Sequence, residues 1–217
     1  MEFFRYHHIL GNLTDHAQLY NDISSSKWRN ILRHSRVSNE VLPLDLIARI
    51  AALRLKAGVA PSGSVIAQSV AIWKDLDDWE PRVVGTELPF AYHALAHSYT
   101  AACFTWLFSI LYPDNIADEK VQVVVRRCLE HLSSIRTIGI HQFLLFPIFV
   151  VGMACIRQED RTVLEGLLIK MEMYCRGNVD ACGRLIRKTW ESYDAGVERS
   201  WDWMYLVEPD GVSVAIV

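Results

Sequence analysis

The chain has 217 residues, of which 51% are hydrophobic and 22% charged, with a formal net charge of −3. This length and apolar share suit one domain with a sizeable interior, and the slightly acidic balance removes any global electrostatic reason to expect nucleic-acid binding. The five cysteines, at 103, 128, 155, 175 and 182, are an odd number and mostly fall on apolar helical faces, which excludes a disulfide framework and reads as free thiols in a reducing compartment.

The first sixteen residues, MEFFRYHHILGNLTDH, carry an early acid and no clean apolar core, so neither a signal peptide nor a membrane span is expected and the cell interior is the expected place. Residues 1–13, mixed aromatic and polar, read as a packed arm or a loose segment. Thr14-Asp15 caps a helix with Ala17, Tyr20 and Ile23 on one face, and Trp28, Ile31 and Leu32 begin a further turn or two. Pro43 opens a helix bearing Leu44, Ile47, Ala48, Ala51 and Leu55, which stops near Gly58. After the turn Pro61-Ser62-Gly63-Ser64, the next helix has Ile66, Val70, Trp73 and Leu76 as its apolar stripe, and Asp75, Asp77 and Asp78 form a solvated end closed by Pro81. Phe90 to Tyr112 is a long helical stretch, apolar on most sides. Asp118 to Arg136 is amphipathic, with Val121, Val125, Cys128, Leu132 and Ile135 inward and Gly139 as its stop.

Phe143 to Ile156, FLLFPIFVVGMACI, carries no charge and no strong hydrogen-bonding side chain. A run hydrophobic all round belongs to an element buried on every side. As a helix it reaches about 21 Å, short of the roughly 30 Å of a bilayer core, so it reads as a central core helix, with Pro147 either in its first turn or at a kink. Beyond it, Asp160 caps a helix with Val163, Leu164, Leu167, Leu168 and Met171 on its inner face. Gly177-Asn178 breaks the chain before a last helix with Val179, Cys182, Ile186, Trp190 and Tyr193. Trp201-Asp202-Trp203 has the make-up of a ligand clamp but reads rather as a plug at the end of a bundle, and 208–217 as a tail. The fold class is all-α: one domain over 1–217, with about eight mostly antiparallel helices packed round the central segment 143–156.

His93 and His97 are one turn apart on one helical face. That spacing chelates metals, but the zinc-protease pattern needs Glu where Ala94 stands, and no ligand set completes a tetrahedral shell, so no metal site is expected. A second reading turns the tips of Tyr92, His93, His97, Tyr99 and Trp106, with His141 ahead of the central run, into an aromatic-lined cavity. A third makes the histidines satisfied core residues. Cys175 and Cys182 form an isolated pair with no companion. The chain contains no G-x-S-x-G elbow, no G-x-G-x-x-G and no P-loop, and no cofactor is expected.

The segment Leu145-Phe146-Pro147-Ile148-Phe149 with Gly152 and Ala154, then Asp160-Arg161, the Trp190 helix and Trp201-Asp202-Trp203, resembles the C-terminal regulatory region of fungal zinc-cluster transcription factors. Ala96-His97-Ser98-Tyr99 with Ala101-Ala102, leading to Leu111-Tyr112-Pro113, shares the likeness. The resemblance covers about 90–207 and implies an all-helical domain, nuclear or cytoplasmic, that senses or relays a signal to a DNA-binding head. That head is a six-cysteine cluster holding two zinc ions, whereas the first cysteine here is Cys103, so specific DNA binding by this route is not expected of the chain alone.

Two function classes follow. One is a regulatory domain that binds a small apolar metabolite or a protein partner, a homodimer being compatible with either. The other is a cofactor-independent isomerase or cyclase of fungal secondary metabolism on the same scaffold, with His93, His97 and His141 as acid–base groups and Tyr92, Tyr99 and Trp106 shaping the cavity. An enclosed cavity with imidazoles pointing inward favours a ligand or substrate, and a filled core favours a protein partner.

Overall fold

The computed structural model describes residues 42–57, 61–81 and 90–202, without the side chains of 138, 139, 142 and 174–178. The expected arm, the helices before Pro43, Gly58, the loop 82–89, Trp203 and the tail lie outside the described residues. Within them are six α-helices and one 3-10 helix, and no strand. They are α1 (Leu44–Lys56), α2 (Gly63–Asp77), α3 (Phe90–Leu111), α4 (Glu119–Ser134), the 3-10 helix Ile138–Phe143, α5 (Leu145–Met153) and α6 (Gln158–Asp194). The all-α class is as the sequence predicts.

The apolar run is the centre of the bundle. All nine residues of α5 are buried, with α3, α4 and α6 packed around it and α1 and α2 laid against α3. The α-helix is shorter than the run. Pro147 falls in its first turn, where a missing N–H goes unnoticed, so the residues before Leu145 wind as a 3-10 turn instead of extending it. At the far end Ala154 N–H donates to Val151 O and Cys155 N–H to Gly152 O, a tightened last turn that closes the helix.

Gly152 explains how the long helix α6 comes so close. A Cβ there would lie 2.7 Å from Leu164 Cδ2 and 2.9 Å from Ile186 Cδ1. Across the same contact the Trp190 indole Nε1–H donates to Gly152 O at 2.8 Å, so backbone and side chain are joined inside the core.

Three expectations about the helices are corrected. First, α6 runs unbroken through Gly177-Asn178 for 37 residues, about 55 Å. A glycine in a helix costs only about 1 kcal/mol, less than the burial gained by keeping Leu164, Leu167, Leu168 and Met171 in line with Val179, Cys182 and Ile186. Second, α6 begins at Gln158 with Arg157 as N-cap, so Asp160 sits inside the first turn rather than capping it, and Val163 is exposed. Third, α4 ends at Ser134, where Ile135 turns extended, and Gly139 lies within the following 3-10 helix rather than stopping α4.

The α2 stripe is also displaced. Val65, Ser69, Ile72 and Leu76 face inward while Ile66 and Val70 are exposed. Ser69 can be buried because its hydroxyl donates to Val65 O at 2.8 Å. Ser62 caps this helix, accepting from Val65 N–H at 3.3 Å.

Charged forks close the ends. Arg54 on α1 donates to both oxygens of buried Asp202 at 2.8 Å, and Arg199, at φ 56°, joins the same carboxylate at 2.8 Å. Beside it Trp201 is buried, its Nε1–H donating to Pro113 O. Arg161 makes a two-pronged bond to Asp194 at 2.7 and 2.8 Å, reaches Cys155 O through Nε at 3.2 Å and lies 5.2 Å from the Trp190 ring centroid. The glutamine Gln122 holds α4 to the end of α5, its Nε2 donating to Ile116 O and Ala154 O at 2.8 and 3.0 Å. Next to this collar Asp160 is buried and its Oδ2 has no hydrogen-bond partner among the described residues. Burial accordingly raises the Asp160 carboxyl above its ordinary value, against the pull of Arg157 and Arg126.

Two outcomes test this packing. Phe149→Ala, at a fully buried position, should lower stability by about 3–5 kcal/mol in a denaturant melt. For Asp160 the sign follows from linkage: a carboxyl raised in the folded state stabilises below its unfolded pKa and loses that contribution as pH rises through the folded value. Asp160→Asn should therefore match the wild type below about pH 3.5, the lower side of the unfolded carboxyl range, and melt higher than it at neutral pH.

Candidate functional site

Helix α3 carries the groups singled out by sequence. It is long and apolar enough to cross a membrane by length and composition, yet 67% of that apolar window is buried inside the bundle, the situation of a core helix. Its buried side holds Leu95, Tyr99, Ala102, Cys103 and Trp106, and its other side exposes His93 and His97.

The structure sorts the predicted residues into two environments. Tyr99 and Trp106 are fully buried. The Tyr99 ring lies 5.3 Å from Phe146, and Trp106 meets the same phenyl edge-on at 6.3 Å. The Tyr99 hydroxyl donates to Phe143 O at 2.8 Å, satisfying a phenol that would otherwise be costly to bury and fastening α3 to the entrance of α5. Tyr92 is half-buried, as is His141 within the 3-10 helix. His93 and His97 face outward, away from Tyr99 and Trp106.

The outward face gains a residue that the sequence reading did not select. His131, in the last turn of α4 and half-buried, stacks on His97 with ring centroids 5.3 Å apart and planes at 26°. Burial and then the neighbouring His97 hold the His131 imidazole below its ordinary value; Glu130 opposes this, and Arg127 adds to it. Only the α4 periodicity pointed here, since His131 lies beside the inward positions 128 and 132, and periodicity does not say which helix packs alongside. Among the described residues no three His, Cys, Asp or Glu side chains converge on one point.

The thiols are structural in form. Cys103, Cys128, Cys155 and Cys182 are free and buried. Burial raises all four, Cys182 to about 12 and the others further, which keeps them protonated and unreactive. The Cys175 side chain lies outside the described residues. A shallow, open concavity over the first turn of α4 is lined by Asp118, Glu119, Lys120 and Val123, none of them a predicted site residue.

Compared with known families, the whole chain, residues 1–217, matches the fungal specific transcription factor domain. The chain belongs to that family. No curated protein and no solved structure matches it significantly. Membership gives the chain a regulatory, transcription-factor-like role inside the cell. A six-cysteine zinc cluster does not fit within these residues, which hold five cysteines, four of them buried in helices or helix ends of the bundle.

The two environments should respond differently to mutation. Tyr99→Phe should cost about 1 kcal/mol, the usual net worth of one internal hydrogen bond, whereas His97→Ala, on the exposed face, should stay within about 0.5 kcal/mol of the wild type. Parallel urea melts give both values.

Proposed function

We propose that this domain regulates transcription by contacting a protein partner through its helical exterior, the chain serving as a scaffold rather than as a container for a metabolite. The observation that carries this reading is the packing around Phe146: among the described residues Tyr99 and Trp106 lie against it with no exposed surface to offer a ligand. His93 and His97, which a ligand cavity would need beside those rings, stand on the opposite side of α3, and His141 is half-buried in the 3-10 helix. That separation weighs against the cofactor-free isomerase or cyclase, whose acid–base groups must reach a substrate held against aromatic walls. A regulatory domain has no such requirement, since partner contact uses outward side chains and a rigid interior.

The test fuses the chain to a heterologous DNA-binding module upstream of a reporter gene. Transcription should change at least about threefold relative to the module alone. Phe149→Ala should abolish the effect through loss of fold, while Tyr99→Phe should keep it. An inert wild-type fusion that is folded and present in the nucleus would overturn the proposal.

A further inference from the structure

The surface where α3 meets α4 presents three imidazoles. His93 and His97 follow one another at one-turn spacing on α3, and His131 approaches His97 from α4. Among the described residues none of the three rings hydrogen-bonds to protein. Imidazole nitrogen is the preferred side-chain donor for borderline divalent ions such as Zn2+ and Ni2+. Two imidazoles bound at about 2.1 Å to one ion at the tetrahedral angle place their ring centroids about 5 Å apart; His97 and His131 are 5.3 Å apart. The rings now lie nearly face to face, and turning both nitrogens onto one point requires rotation about χ2. That torsion is broad and soft for histidine, and the exposed His97 ring has room for it.

We propose that His97 and His131 form an exchangeable two-imidazole site for a divalent transition-metal ion, water completing the coordination, that clamps α3 to α4. The site is independent of the partner-binding reading above. It differs from the zinc cluster of DNA-binding heads in donors and in place: it uses nitrogen rather than thiolate, and it lies on the outside of the bundle. A bound ion would join two helices that already form the most extensive interhelical contact among the described residues. Ion availability would thus tune the rigidity of the scaffold. Selectivity should follow donor type, with Ni2+ and Zn2+ bound and Mg2+, which prefers oxygen, left in solution.

The experiment titrates NiCl2 into the full chain, prepared without an affinity tag, by calorimetry and by thermal melting. One ion per chain should bind saturably and raise the melting temperature, with no response to MgCl2. His97→Ala, at an exposed position expected to fold normally, should weaken that binding at least about tenfold and erase the thermal shift. His131→Gln, which keeps the size and polarity of the ring site, should do the same, while His93→Ala should leave affinity within about threefold, a change of roughly 0.65 kcal/mol. Retained affinity in His131→Gln with loss in His93→Ala would assign chelation to the one-turn pair and overturn the interhelical site. Absence of saturable binding in the wild type, or unchanged affinity in His97→Ala, would overturn it as well.

Discussion

The structure depends on one close contact, the approach of α6 to the end of α5 over Gly152. With no side chain at that position, Leu164 and Ile186 come within 2.7–2.9 Å of where a Cβ would sit, and the Trp190 indole can donate to the backbone carbonyl beneath them. A short helix apolar on every side has no polar face to fix its rotation. The indole bond and the glycine notch provide that fix, because only one face of α5 admits α6 at this distance. The Tyr99 hydroxyl does the equivalent work at the opposite end, holding α3 to Phe143 O. Between the two anchors the packing of Phe146, Phe149 and Val150 is determined by contact alone.

Polar groups appear where apolar packing runs out. The α5–α6 turn is enclosed by Gln122, Asp160 and Arg161, with the guanidinium divided between Cys155 O and Asp194. At the other end, Asp202 receives Arg54 and Arg199, which ties the last described turn to α1. A bidentate guanidinium–carboxylate pair is directional as well as attractive, so these forks set how the segments bearing Asp194 and Asp202 dock more than they add to stability. Asp160 is the exception, a buried carboxyl whose Oδ2 has no hydrogen-bond donor among the described residues, and burial raises it above its ordinary value.

The chain belongs to the fungal specific transcription factor domain family, and among the described residues Tyr99, Trp106 and Phe146 are fully buried. His93 and His97 lie on the exterior of α3, where half-buried His131 of α4 meets His97. The motifs that carry the resemblance in the sequence are mostly packing residues, which say how the chain folds and little about what it contacts.

Much of the interior was legible from residue order. The uncharged run 143–156 identified the core helix because no other environment accepts it, and the α4 stripe of Val121, Val125, Cys128 and Leu132 came out buried as its spacing required. The continuity of α6 was also legible in principle. Leu164 and Cys182 are separated by about five turns of 3.6 residues, so the stripes on either side of Gly177 are in phase, and glycine is too weak a breaker to override them. Other features belonged to the tertiary structure. Helix α2 has apolar residues on two faces, and only its contacts with α1 and α3 chose Val65, Ile72 and Leu76 over Ile66 and Val70. Periodicity likewise grouped His93 with His97, and neighbouring Tyr99 and Trp106 with them, but a helix wheel has no absolute orientation until something packs against it. Phe146 took one side of α3 into the core and left the imidazoles outside, where a histidine 34 positions further along the chain meets them. Sequence alone thus determined which segments are buried, through hydrophobic spacing that acts within a few turns; which side chains meet was decided by the tertiary structure, because that depends on neighbours distant along the chain.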